Sequence, residues 1–192
     1  MTNRKQKTET LVLGAVFTAL VVVLQLLGSF IHLGPFSISL VLIPIVIGAA
    51  TCGWKMGGWL GFVFGVAVLL SGDAAAFMSI SLGGTVLTVL LKGIACGLVS
   101  GLVYEALSKR NHTLAVFVAA VVCPIVNTGV FLLGCFVFFL EALASWGVAE
   151  GYQNTVAYMF LGLAGGNFLV ELAANIILAP VIVRVIKFRH DK

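Results

Sequence analysis

The sequence predicts an all-α integral membrane protein, a six-transmembrane-helix bundle whose N and C termini are both cytoplasmic. Three observations predict it. First, the 192 residues are 61% hydrophobic and 9% charged, against roughly 45–50% and about 25% in a soluble domain. A core of this size cannot bury the excess, so lipid must solvate much of the surface. Second, six apolar stretches, near 10–29, 37–53, 55–71, 82–107, 113–140 and 157–187, approach the ~20 residues that a spanning helix needs. Third, the basic residues alternate with these stretches. Arg4, Lys5 and Lys7 precede the first, Lys55 separates the second and third, and Lys109 and Arg110 separate the fourth and fifth. Arg184, Lys187, Arg189 and Lys192 close the chain. With an even number of spans all of these face the cytoplasm, as the positive-inside rule requires. The opposite loops carry Asp73, Glu141 and Glu150 and neither Lys nor Arg. The net charge of +4 is then a matter of topology, and no nucleic acid partner is expected.

The first span follows a basic start. Its apolar run is long and no A-x-A site follows, which argues against a cleaved leader. Within LGAVFTALVVVL, Ala15 and Ala19 stand four apart, on one helical face. The loop SFIHLGPFS brings Phe36. The second span, LVLIPIVIGAA, is continuous rather than alternating, as is FLLGCFVFFL in the fifth; a membrane β-barrel would alternate. The third span repeats glycine every four residues, at Gly57, Gly61 and Gly65. Gly93, Gly97 and Gly101 do the same on the fourth, and Gly162 and Gly166 on the sixth. Such spacing lets helix backbones approach closely in lipid. No polar linker divides the chain, so residues 1–192 are expected to form a single transmembrane domain.

The loops on the far side combine aromatics with small polar residues. SGDAAAFMSIS offers Phe77 and Met78 as its only large apolar groups. EALASWGVAEGYQN offers Trp146 and Tyr152. Phe36, Phe77, Trp146 and Tyr152 are candidates to cover a ligand; Trp146, Tyr152 and Tyr158 fit an interfacial aromatic belt equally well.

One basic residue falls outside the topological pattern. Lys92 lies ten residues into the fourth span, roughly 15 Å deep at 1.5 Å per residue. An ammonium at that depth costs on the order of 2.5–3.5 kcal/mol. Ser81, Thr85, Thr88 and Lys92 recur at i, i+4, i+7 and i+11, a polar stripe on one helical face. Asn167, Glu171 and Asn175 stack on one face of the sixth span, and Asn127 and Thr128 stand at mid-depth in the fifth, just after Pro124. Two readings stand. Lys92 and Glu171 pair to hold the bundle together, or Lys92, Thr85, Thr88, Asn127, Asn167 and Glu171 converge on a ligand site. The stripe above Lys92 favours the second.

Catalytic patterns are missing. The sequence contains no G-x-x-x-x-G-K-[ST], H-E-x-x-H or G-x-S-x-G. His32, His112 and His190 are dispersed. Cys52, Cys96, Cys123 and Cys135 form no C-x-x-C and read as small packing residues. No catalytic residue, cofactor or metal is expected.

The layout resembles the S-component of an energy-coupling factor (ECF) transporter. The resemblance rests on the six-helix pattern with both ends inside and on A-x-x-x-A at Ala15 and Ala19. SLVLIPIVIGAATCGWKMGGWLGFVFGVAVLLSG and LLKGIACGLVSGLVYEAL also resemble the family's second to fourth helices. It implies a subunit of a bacterial cell membrane that captures a vitamin from outside, in a pocket between helices four to six capped by loops. It also implies a membrane T-component, met by the small-residue face of helix one, and two cytoplasmic ATPases. Lys92 favours an anionic ligand, such as pantothenate, niacin or folate. The alternatives are a membrane scaffold or morphogenesis protein and a membrane-embedded enzyme using Glu171.

Overall fold

A computed structural model of the chain describes residues 2–29, 32–33, 36–37 and 40–190, with side-chain surroundings for 8–29 and 40–184. Helix α1 (Thr2–Gly28) leads into a short antiparallel ladder, β1 (His32–Leu33) and β2 (Phe36–Ser37), that pairs His32 with Ser37 and Leu33 with Phe36. The rest is helical: α2 (Leu42–Cys52), α3 (Trp54–Ser71), α4 (Ala75–Met78), α5 (Leu82–Ser108), α6 (His112–Phe138), α7 (Leu140–Ala149) and α8 (Thr155–Ala157). A π-helical segment (Tyr158–Leu163) then leads into α9 (Gly165–His190).

Among the described residues five helices are long and apolar enough to cross a membrane: Thr8–Gly28, Trp54–Ser71, Leu82–Ser108, His112–Phe138 and Thr155–Arg184. Their outward faces carry Leu11, Leu70, Leu133 and Ile177, each more than 65% exposed. The expected second span is the exception. Ser37, at its start, belongs to the ladder and residues 40–41 form a turn, and α2 has 11 residues, about 16 Å of rise against a hydrocarbon core of ~30 Å. Leu42, Pro44, Ile45, Val46, Gly48 and Ala49 are buried within the bundle. Pro44 is tolerated because it lies in the first turn, where its missing N–H has no helical partner. Gly53, at φ 94°, turns the chain directly into α3, a conformation that suits glycine.

The glycine spacing on α3 and α5 has a direct structural consequence. Gly57 and Gly61 lie backbone to backbone against Gly97 and Gly93: a Cβ on any of the four would collide with a carbonyl oxygen of the facing helix. The sixth-span glycines behave otherwise. Gly162 abuts the Tyr158 ring, and Gly166 is exposed with nothing near its missing Cβ. Spacing alone does not say which face of a helix meets another.

Three further segments differ in detail from the expectation. The expected loop EALASWGVAEGYQN folds as α7 over its first two thirds, since Leu, Glu and Ala favour helix. SGDAAAFMSIS contains the single turn of α4. The sixth span is not a uniform helix: Ala164 N–H donates to Met159 O at 3.1 Å, five residues back, where an α-helix would reach back four. Tyr158, one of the three aromatics that fit an interfacial belt, is buried at 2% exposure.

The core has two parts. The larger joins α1, α2, α3, α5, α6 and α9 through residues such as Val21, Ile45, Leu60, Phe64, Val116 and Ile182. The smaller gathers Phe77, Phe139, Leu143, Tyr158, Met159 and Leu163 at the α4/α7 end. A cavity lies at the seam, walled by Phe64, Val68 and Val89 of the first and by Phe77, Phe139 and Leu163 of the second.

Candidate functional site

The α5 wall begins at its N-cap, Ser81, whose Oγ accepts from Gly84 N–H at 3.2 Å. Thr85 Oγ donates to the Ser81 carbonyl at 2.7 Å, so this hydroxyl is already used within the helix. Thr88 is 4% exposed, and its Oγ has no hydrogen-bond partner within the protein. Lys92 follows one turn later. Its ammonium lies 5.6 Å from the Phe64 ring centroid on α3 and 5.3 Å from that of Phe131 on α6. Contacts to ring faces at that distance attract a cation but supply no acceptor. The backbone contact of α3 with α5 puts Phe64 there.

Glu171 sits opposite on α9, 2% exposed. Asn127 Nδ2 donates to its Oε2 at 3.5 Å and Asn167 Nδ2 to its Oε1 at 3.4 Å. Both contacts are long beside the usual ~2.9–3.0 Å. One turn further along, Asn175 Nδ2 donates to the Glu171 carbonyl at 2.8 Å. No ion pair joins Lys92 to Glu171 among the described residues; rings face the ammonium, and amides face the carboxylate. Of the two sequence readings, the direct Lys92–Glu171 ion pair is not formed within 4 Å among the described residues.

The amides leave a second mark. Because their NH2 groups point at Glu171, the oxygens of Asn127 and Asn167 point elsewhere, and neither has a partner within the protein. The oxygen of Asn175 is in the same position. An unsatisfied buried polar group costs about 1–3 kcal/mol, and such groups are normally paired. The cavity wall therefore presents the Lys92 cation and, at Thr88, Asn127 and Asn167, buried oxygens with no partner within the protein; Asn175 lies off that wall.

Lys92, Thr85, Thr88, Asn127, Asn167 and Glu171 all lie on this cavity wall, with Thr128. Phe77 lies there too, edge-on to Phe131, Phe139 and Trp146 at 5.8, 5.0 and 5.5 Å. Trp146 and Tyr152 stand behind the wall: Trp146 backs Phe77, and Tyr152 packs on Tyr158 at 5.4 Å. The side chain of Phe36 lies outside the described residues. The space open to the centres of water-sized molecules is about 70 Å³, where one water needs roughly 10–15 Å³ on that measure. Several heavy-atom groups fit.

Sequence reasoning missed part of this wall: Gln25, Phe64, Asp73, Phe131 and Phe168. Gln25 carried a signal, a lone amide in ALVVVLQLLG. The phenylalanines carried none, because they look like any other apolar residue of a membrane helix.

Ala15 and Ala19 lie elsewhere. Both are exposed on an open apolar groove shared by Gly14, Met56 and Trp59, between α1 and α3. Trp59 Nε1 donates to Thr18 Oγ at 3.2 Å across it.

Residues 9–183 match the family model described as ECF transporter, substrate-specific component. The chain is similar to the pantothenic acid transporter PanT of Lactococcus lactis subsp. cremoris (strain MG1363), at 26% identity over 194 residues that cover 94% of each protein. No solved structure matches it.

Proposed function

Because the chain belongs to the family of substrate-specific components of ECF transporters, we propose that it captures pantothenate at the outer face of a bacterial cell membrane and delivers it inward with an energising module. One observation carries the substrate reading. The Lys92 ammonium and the unpartnered oxygens of Thr88, Asn127 and Asn167 share one cavity wall. A fitting ligand brings an anion to the first and hydrogen-bond donors to the others. Pantothenate has a carboxylate at one end, and an amide N–H and hydroxyls along the rest. The name of the Lactococcus relative agrees with such a ligand. Phe77, backed by Trp146, is the cover on the α4/α7 side. Binding explains these groups without any bond being made or broken, so the protein is not an enzyme.

Thermal unfolding of the purified protein against pantothenate, panthenol, niacin and folate tests this. At 100 times its Kd a ligand adds about 2.7 kcal/mol. Pantothenate is expected to stabilise the protein and panthenol, in which an alcohol replaces the carboxylate, to do so far less. Equal stabilisation by the two would remove Lys92 from the reading. Stabilisation by no vitamin would leave the scaffold alternative.

The energy comes from partners, a membrane T-component and two cytoplasmic ATPases, since the sequence contains no P-loop pattern. The groove at Ala15 and Ala19 is the site for the T-component, because its floor is small enough for a helix to approach closely. Ala15→Leu or Ala19→Leu should abolish pantothenate uptake by the assembled transporter while pantothenate binding by the isolated subunit stays within about twofold, as the groove and the cavity share no lining residue. Loss of binding would assign the alanines to internal packing.

A further inference from the structure

The inward face of α1 follows a 3–4 spacing through Gly14, Phe17, Val21 and Gln25, all buried. The first three are small or apolar. The fourth carries a primary amide that is 2% exposed, while its neighbours Leu26 and Leu27 are 45% and 58% exposed. An amide buried in a membrane helix needs a partner. Gln25 has one 48 residues away: Nε2 donates to Asp73 Oδ2 at 2.6 Å.

Asp73 stands at a critical place in the chain. Gly72, with φ 87°, ends α3 in the left-handed conformation, a common way for glycine to stop a helix. Asp73 follows, and then α4, whose turn is closed by Ala75 N–H to Gly72 O and by Phe77 and Met78 N–H to Ala74 O. Four residues cannot hold a helical turn by themselves. The position of α4 is set by what grips it. On one side Phe77 sits among Phe131, Phe139 and Trp146. On the other, Asp73 is bound by α1. Gln25, Asp73, Ala74 and Phe77 all belong to the cavity wall.

We propose that Gln25 is a positioning residue for the site: its amide holds Asp73, and through Asp73 the α4 turn, closed over the cavity. The aromatic contacts supply burial without a unique direction. The hydrogen bond to a carboxylate supplies the direction, and it anchors the cover to α1. That helix carries the open Ala15/Ala19 groove on another face, so opening the cavity requires either breaking this bond or moving α1.

The inference rests on the transport reading only for the name of the ligand, and its first test needs none. In the full-length protein in lipid nanodiscs, hydrogen exchange reports opening of the 72–81 backbone. Gln25→Leu removes the donor and should speed exchange there about 10- to 100-fold, the range for a lost hydrogen bond to a charged group. Exchange within α3 and α5 should not change. Gln25→Glu sets two carboxylates against each other and should open the segment at least as far. Adding Asp73→Asn to Gln25→Glu restores a donor and should return exchange to near the wild-type rate, together with the pantothenate dissociation rate. A rescued pair supports the latch whatever the starting stability of the single variants. Unchanged exchange at 72–81, an equal rise throughout the bundle, or failure of the double variant to recover would overturn it. Failure of wild-type protein to bind pantothenate would overturn the ligand and leave the exchange result to stand.

Discussion

Lys92→Met should weaken pantothenate binding roughly 30-fold to several thousand-fold, the range for truncating one partner of a buried charge contact, about 2–5 kcal/mol at 1.4 kcal/mol per tenfold. The same change should leave the ligand-free protein as stable as wild type, or more so. The ammonium rests over two phenylalanine rings and forms no ion pair with Glu171. Holding a charge at mid-membrane depth costs on the order of 2.5–3.5 kcal/mol. A methionine of similar length removes that cost and packs on Phe64 and Phe131. Isothermal titration and thermal unfolding of one preparation measure both effects. A large drop in unfolding temperature would make Lys92 a structural residue, and normal binding would remove it from the site.

Gly61→Ala should be among the most damaging single-methyl additions this protein can suffer. Its Cβ would enter the space of the Gly93 carbonyl oxygen, a backbone atom that no rotamer change can move away. Helices α3 and α5 would have to separate along their length, because Gly57 and Gly97 are in the same contact. Overpacking of a side-chain core costs about 1–3 kcal/mol, occasionally more, and a clash with backbone belongs at or above the top of that range. Phe64 would move away from Lys92 with α3, so binding should fall as well. Gly83→Ala is the control: Gly83 is exposed on α5 with nothing within 4 Å of the missing Cβ. That substitution should be neutral. Thermal unfolding in detergent distinguishes them, and a Gly61→Ala protein as stable as Gly83→Ala would contradict the backbone contact.

The sequence by itself determined the class of the protein. Composition requires a lipid-facing surface, and long apolar runs in lipid must be helices, because no water is available to satisfy an exposed backbone. It also marked the polar side of the cavity. Lys92, Thr88, Asn127, Asn167 and Glu171 are conspicuous in a chain with 9% charged residues, and helical periodicity orders those on α5 and α9 along single faces. Only the tertiary structure decided how these faces meet. Two residues that attract in principle, Lys92 and Glu171, form no ion pair: two rings face the ammonium, and the amides of Asn127 and Asn167 face the carboxylate. That outcome depends on the relative rotation of α5, α6 and α9, which no local pattern encodes. The aromatic half of the wall was hidden for a similar reason: a phenylalanine costs nothing in lipid or in core, so its position says nothing of its neighbours. The shortness of α2 and the π turn before Asn167 are also tertiary. A helix packed inside a bundle need not match its neighbours in length, and an extra residue in a turn leaves no periodic trace when every neighbouring residue is apolar. The Gln25–Asp73 bond spans 48 residues, and a contact at that distance exists only once α1 and the end of α3 have been packed side by side.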